Sequence, residues 1–180
     1  MNFDDTPQEA EFRATARAWI GANAPKQYED ELRKSSLGRT MLKNADILAV
    51  AKAWQKKKAD AGWACLHWPK EYGGRGSSPI ERVIWSQEEG PFGQLSRMFI
   101  IGHGMCGPTM MAFAREEHKR TYLPPLASGE KVWCQLFSEP AGGSDVAGRA
   151  RVPRRMATTG SSTARRSGRR GRIIPTMASC

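Results

Sequence analysis

A chain of 180 residues, 39% of them hydrophobic, is long enough for one ordinary domain and the start of a second, and it is not a miniprotein. Its formal charge of +10 points first to nucleic acid or an anionic surface, but nine arginines and no acid lie from Arg149 onward, leaving residues 1–148 with 19 basic against 18 acidic groups. The body is therefore close to neutral. With no run of about 18 apolar residues and an acidic opening at Asp4-Asp5, a soluble cytoplasmic protein without a membrane span is expected.

The first helix opens at Thr6-Pro7-Gln8-Glu9, where Thr6 caps, Pro7 takes the first helical position and Glu9 completes a capping box. Phe12, Ala16, Trp19 and Ile20 share one face, and Pro25 ends the helix after about Asn23. Residues 26–44 are polar and mixed in sign and read as a connection, a loop or, in the alternative, one containing an irregular helical turn. A second helix over about 45–62 turns Ile47, Leu48, Ala51 and Trp54 inward and its Lys56-Lys57-Lys58 run toward solvent. Residues 62–76 lack helical periodicity and read as an ordered aromatic loop; their glycines are not a phosphate cradle, since no G-K-[ST] follows. Ser78-Pro79-Ile80-Glu81 is a second capping box, opening a helix to about Glu89 with Ile80, Val83, Ile84 and Gln87 along it, stopped by Gly90-Pro91. After a Gly/Met-rich segment, helices are expected over about 107–113 and 115–122, the latter closed by Leu123-Pro124-Pro125. Lys131 to Phe137 reads as the first strand. Helices followed by a strand fit a helical domain leading into a β domain.

The side chains with chemistry are sparse. Cys65, Cys106, Cys134 and Cys180 are scattered without a C-x-x-C pair and read as buried free thiols, so no metal site is expected. His67, His103 and His118 are far apart and read as surface or capping residues. Glu88-Glu89 point about 100° apart on a helix and read as one buried and one solvated carboxylate. Met105, Met110 and Met111 beside Phe99 and Phe113 are core residues or, in the alternative, the lining of an acyl channel.

Gly62-Trp63, Trp68 to Gly74, Glu116 to Lys119 with Tyr122-Leu123-Pro124, Ser128-Gly129-Glu130, and above all Ser138-Glu139-Pro140-Ala141-Gly142-Gly143-Ser144-Asp145 stand in an order that resembles the acyl-CoA dehydrogenase family over residues 1–148. The last resembles the family's T/S-E-P-x-x-G-S-D signature, with serine where many members have threonine. The resemblance implies a mainly α chain: a helical N-terminal domain over 1–130, the start of the middle β domain, a barrel, over 131–148, and a basic tail over 149–180 expected to be disordered. It implies α,β-dehydrogenation of an acyl-CoA thioester with FAD, an oxidoreductase of fatty acid metabolism. Electron-transfer flavoprotein would accept the electrons, and the intact enzyme would be a homo- or hetero-oligomer. By resemblance, Gln135, Leu136, Phe137, Ser138, Gly143 and Ser144 contact the flavin, and Ser144 also the substrate's thioester arm. No catalytic residue is assigned, because the family's proton-abstracting carboxylate belongs to a C-terminal bundle, and an inactive fragment is expected.

The tail has no useful apolar period. From Met156 onward, one choice of codons also reads, one base earlier, DGDDWIVNGQKVWTSGAHYSDYGIL. That string resembles the family's next strands, including a W-T-S element that packs a tryptophan against the flavin. Deleting one base from a leucine codon, so that G-L-R-T-R becomes G-R-A-R, would join the two frames, so the tail is expected to be a frameshift product. Two other readings stand beside the enzyme fragment. One is a helical module docking onto an intact paralogue; the other is a nucleic-acid binder using the arginine tail, whose affinity would fall steeply with salt. Dicarboxylate, steroid side-chain and fatty acyl thioesters all remain open as substrates.

Overall fold

The computed structural model describes residues 4–34, 42–134, 153–156 and 159–162. The chain divides into two compact units, Met1–Trp133 and Cys134–Cys180. The first is helical. Its elements are α1 (Pro7–Asn23), α2 (Glu29–Lys34), α3 (Ile47–Asp60), α4 (Pro79–Glu88), α5 (Gly93–Ser96), α6 (Gly107–Phe113) and α7 (Glu116–Ala127), with short 3-10 turns between several of them.

The expected caps set the helix starts. The Thr6 hydroxyl accepts from the Glu9 N–H while the Glu9 carboxylate accepts from the Thr6 N–H at 2.7 Å, and Ser78 and Glu81 repeat the arrangement at the start of α4. Asp46 caps α3 by accepting from the Leu48 N–H. Helix α1 then lays Ala16 and Ile20, with Phe12 and Trp19 partly buried, on a core that also holds Leu32, Ala51, Trp54, Trp63, Trp85 and Phe99. Arg13 and Arg17 tie α1 to α4 through Glu88, at 3.1 and 2.8 Å. A second apolar cluster joins Trp68 and Tyr72 of the aromatic loop to Leu123, Leu126 and Ala127 of α7.

Several expectations are corrected. The supposed loop at 26–44 contains α2, whose apolar contribution is one side chain, the buried Leu32; too short for a periodic signal, it is held by that contact. The buried side chains of α4 are Ile84 and Trp85, whereas Ile80 and Val83 are 46% and 48% exposed, because the tryptophan turns its own side of the helix inward. The Gly/Met-rich segment is helical too, and includes a π turn at Gly102–Cys106 in which the Gly107 N–H reaches five residues back to the Gly102 carbonyl. Pro124 and Pro125 do not close α7, which runs through them to Ala127. Their missing N–H groups are outweighed by the burial of Leu123, Leu126 and Ala127.

Over 131–134 no strand forms; 135–137, the rest of that expected strand, lie outside the described residues. In the second unit, within the tail expected to be disordered, Pro153–Met156 and Thr159–Ser162 pair antiparallel in the register Pro153↔Ser162 to Met156↔Thr159. A two-residue connection permits such a hairpin, which alone is marginally stable.

The aromatic loop is shaped by glycine. Gly73 and Gly76 adopt left-handed backbone angles, and a Cβ at Gly74 would run into the Trp68 carbonyl oxygen. Gly74→Ala should therefore lower the stability of the full chain by about 1–3 kcal/mol. The measurement is the urea midpoint followed by tryptophan emission, and an unshifted midpoint would contradict the packing described.

Candidate functional site

A cavity of about 900 Å³ opens in the helical unit, bounded by the end of α2, the inner side of α3, the aromatic loop, α4 and the segment 90–104. Its floor is aromatic and aliphatic, from Trp63, Trp85, Leu66 and Ile100, and its polar side chains include Gln55, Ser86, Gln87 and Gln94. The volume is ordinary for a small-molecule site.

One wall is a buried carboxylate. Glu89, 7% exposed, accepts hydrogen bonds from the Lys58 ammonium at 2.7 Å, the Ser96 hydroxyl at 2.7 Å, the Trp54 indole at 2.8 Å and the Trp85 indole at 2.9 Å. Burial alone would raise its pKa, but the Lys58 charge and the ring of donors overcome that and hold it below the ordinary carboxylate range. Glu89 is thus an anion at neutral pH, with its acceptor capacity already taken up. The expected division of Glu88 and Glu89 holds for Glu89, which is buried; Glu88 is engaged by Arg13 and Arg17. The lysine run is corrected at one position. Lys56 pairs with Asp60 outside, whereas Lys58 is 4% exposed. Its signal was available: Ala51, Trp54 and Lys58 at i, i+3 and i+7 share one helical face.

His103 takes the capping alternative, at the end of α7: its ring stacks on Phe99, four residues earlier, at 5.4 Å and meets Trp68 edge-on at 5.8 Å. Nε2–H donates to the Leu126 carbonyl at 2.8 Å, which leaves Nδ1 as the acceptor nitrogen. Burial lowers its pKa to about 4, so the ring is neutral at pH 7. His103 and His67 line the cavity while His118 lies by Tyr122 on α7, and no group of three or more His, Cys, Asp or Glu among the described residues could hold a metal ion. The thiols of Cys65, Cys106 and Cys134 are half-buried rather than fully buried, and burial pushes Cys65 up to about 12, so it is not a thiolate. Of the proposed channel side chains only Phe99 is in the core; Met105 and Phe113 are 48% and 87% exposed, and Met110 and Met111 pack partly on the second cluster. Gln135, Leu136, Phe137, Ser138, Gly143 and Ser144, the expected flavin contacts, lie outside the described residues. No helix among the described residues is long and apolar enough to cross a membrane.

Known proteins share this fold. The family model for the acyl-CoA dehydrogenase N-terminal domain matches residues 6–130. Acyl-CoA dehydrogenase IpdE1 of Mycobacterium tuberculosis is 34% identical over 137 residues, covering 76% of this chain and 34% of the relative. The crystal structure of the ChsE4-ChsE5 complex from the same organism superposes with a TM-score of 0.64 at 28% identity, covering 90% of this chain and 38% of that one. An acyl-CoA dehydrogenase of Bacillus anthracis complexed with FAD shares the fold, with a TM-score of 0.55 at 22% identity over 82% of this chain and 23% of that one. The chain spans about a third of the length of the curated relatives it matches first.

Two outcomes follow from the buried charges. Glu89→Gln strands the Lys58 ammonium and should cost about 3–5 kcal/mol in urea unfolding, with Lys58→Met in the same chain recovering much of it; equal losses in single and double variants would refute the pairing. His103 stays neutral in the folded chain down to about pH 4, whereas the unfolded imidazole takes a proton near 6.5. The unfolded state therefore binds the extra proton as pH falls between these values, and stability should decline from pH 6.5 to 5 with a limiting slope of about 1.4 kcal/mol per pH unit. In His103→Gln, which keeps a donor for the Leu126 carbonyl, that decline should flatten; an unchanged profile would show that His103 is not its source.

Proposed function

The chain belongs to the acyl-CoA dehydrogenase family through its N-terminal helical domain, and from that premise we propose that it is the opening part of an FAD-dependent enzyme that removes hydrogens from the α and β carbons of an acyl-CoA thioester. The observation that carries this reading is continuity: the family match over 6–130 runs directly into Ser138-Glu139-Pro140 and Gly143-Ser144-Asp145, in family order. In this division of the chain, 1–130 is the helical domain and 131–148 begins the middle β domain.

The flavin, when bound, supplies the hydride acceptor that no side chain can. Among the described residues, the left-handed glycines Gly62, Gly73, Gly76 and Gly129 lie outside the cavity lining, and Cys65 is the left-handed position within it. The flavin contacts are assigned to Gln135, Leu136, Phe137, Ser138, Gly143 and Ser144, with Ser144 also meeting the thioester arm. The helical unit's own part is to wall the acyl chain and keep water from it, with Trp63, Trp85 and Leu66 as apolar surface.

Residues 149–180 are assigned to a shifted reading frame. The string hidden one base earlier from Met156 onward resembles the family's continuation, and a selected basic arm has no reason to conceal it. Electron-transfer flavoprotein as acceptor and oligomeric assembly complete the reading; the ChsE4-ChsE5 relative is itself a complex. A second reading has one observation in its favour. Phe113, Met105 and Ile100 are exposed apolar side chains, as expected of a module that docks onto an intact paralogue.

The deciding experiment is to sequence the coding DNA across Gly148, restore the frame, and assay acyl-CoA-dependent dye reduction. Dye reduction by the restored protein and none by the 180-residue chain is the expected result. An intact frame without the alternate reading would overturn the frameshift, and a restored protein that neither binds FAD nor reduces dye with any acyl-CoA would overturn the enzyme.

A further inference from the structure

We propose that Gln55 and His103 form a hydroxyl-binding site in the cavity of the helical unit, so that the substrate class is an acyl thioester with a hydroxyl on its chain. This rests on the acyl-CoA reading above and narrows its substrate.

Two buried acceptors carry the proposal. Gln55 and His103 both line the cavity, and both give their donor ends to the last turn of α7. The Gln55 amide N–H donates to the Ala127 carbonyl at 2.7 Å, and His103 Nε2–H to the adjacent Leu126 carbonyl at 2.8 Å. A carbonyl oxygen only accepts, so these contacts fix the orientation of the Gln55 amide and the tautomer of His103. Neither Leu126 nor Ala127 belongs to the cavity lining, so the donor ends point out of it. What remains on each side chain is an acceptor, Oε1 of Gln55 and the bare Nδ1 of His103. Among the described residues, neither atom receives an N–H or O–H. Gln55 is 2% exposed, and His103 is packed by Phe99 and Trp68, which also lie outside the lining. A buried acceptor without a donor is unfavourable. The buried donors of the cavity wall do not answer the pair, because Lys58, Ser96 and Trp85 are engaged by Glu89.

The ligand must therefore bring the donor. A plain alkyl chain brings none. An ammonium brings three, but four cations, Arg33, Lys58, Arg82 and Arg97, line the cavity against the single carboxylate Glu89, which Lys58 already neutralises. A hydroxyl is neutral, donates its proton to either acceptor, and comes on a carbon stem that suits Trp63, Trp85 and Leu66. A second hydroxyl, or a water beside the first, answers the other acceptor. Water alone is the competing occupant, and it would give the cavity no preference among acyl chains.

The test uses the full 180-residue chain, with the emission of Trp63 and Trp85 reporting occupancy. Methyl 6-hydroxyhexanoate should quench saturably, and methyl 6-methoxyhexanoate, whose ether oxygen accepts but cannot donate, should bind about tenfold more weakly. Methyl 6-aminohexanoate, a cation at neutral pH, should bind no better than the ether. These comparisons use the unaltered chain and so do not depend on any variant folding. Gln55→Met and His103→Phe, with circular dichroism confirming the fold of each, should both lower the alcohol-to-ether ratio to about threefold or less. His103→Gln keeps a donor for the Leu126 carbonyl and an acceptor beside it, and should retain most of the ratio. Equal binding of alcohol and ether by the unaltered chain would leave water alone on the acceptors and overturn the proposal. So would tighter binding of the amine than of the alcohol, or a ratio unchanged in both Gln55→Met and His103→Phe. In the frame-restored protein, 6-hydroxyhexanoyl-CoA should exceed hexanoyl-CoA in kcat/KM by at least about tenfold. Preference for hexanoyl-CoA overturns the hydroxylated substrate and leaves the enzyme standing; no turnover with either, alongside selective alcohol binding, overturns the enzyme and leaves the hydroxyl site.

Discussion

The helical unit depends on one buried anion. Glu89 collects Lys58 and Trp54 from α3, Trp85 from its own helix, and Ser96 from the end of α5, so three segments that share no backbone hydrogen bonds are referred to a single carboxylate. Such a group is costly to desolvate, and burial is the largest single influence on its pKa. It is tolerated because a full cation sits at 2.7 Å and the other donors point at its oxygens. The tryptophans are then fixed in orientation as well as buried. Trp63 stacks on Trp85 at 4.7 Å, and Trp19 leans on Trp54, Trp63 and Trp85. A polar contact thereby decides how an aromatic core is arranged, which area burial alone does not specify.

Local chemistry in the sequence was sufficient for the elements whose signals are local. Both capping boxes, Pro7, and the face Phe12, Ala16, Trp19 and Ile20 appear as read, because a helix N-terminus and a 3.6-residue period are decided within a few residues. The failures share a different cause. Helix α2 rests on Leu32 alone, α7 passes through Pro124 and Pro125, and the side chain α4 buries beside Ile84 is Trp85 rather than Val83. In each case a tertiary contact overrode a local rule, and nothing within the segment announces the partner. Lys58 is intermediate. Its spacing from Ala51 and Trp54 marks the buried face, but a run of three lysines reads as solvent until Glu89 is known to lie opposite.

The candidate site divides in the same way. The family's identity was legible in short fixed motifs, and those at Trp68 to Gly74 and Glu116 to Lys119 fall within the matched residues 6–130. The cavity was not legible, because it is assembled from α2, α3, α4, the aromatic loop and the segment 90–104, none of which carries a recognisable motif for it. His103 shows why. Its contacts with Trp68 of the aromatic loop and with the Leu126 carbonyl of α7 come from segments 35 and 23 residues away, and nothing beside it in the sequence announces them.

These constraints meet at the cavity. A buried lysine would normally be the cation offered to an anionic ligand, but Lys58 is committed to Glu89, and releasing it would leave a carboxylate without its countercharge. Its commitment holds that wall of the cavity in place, and with it the orientation of Trp54 and Trp85, whose indoles donate to the same carboxylate.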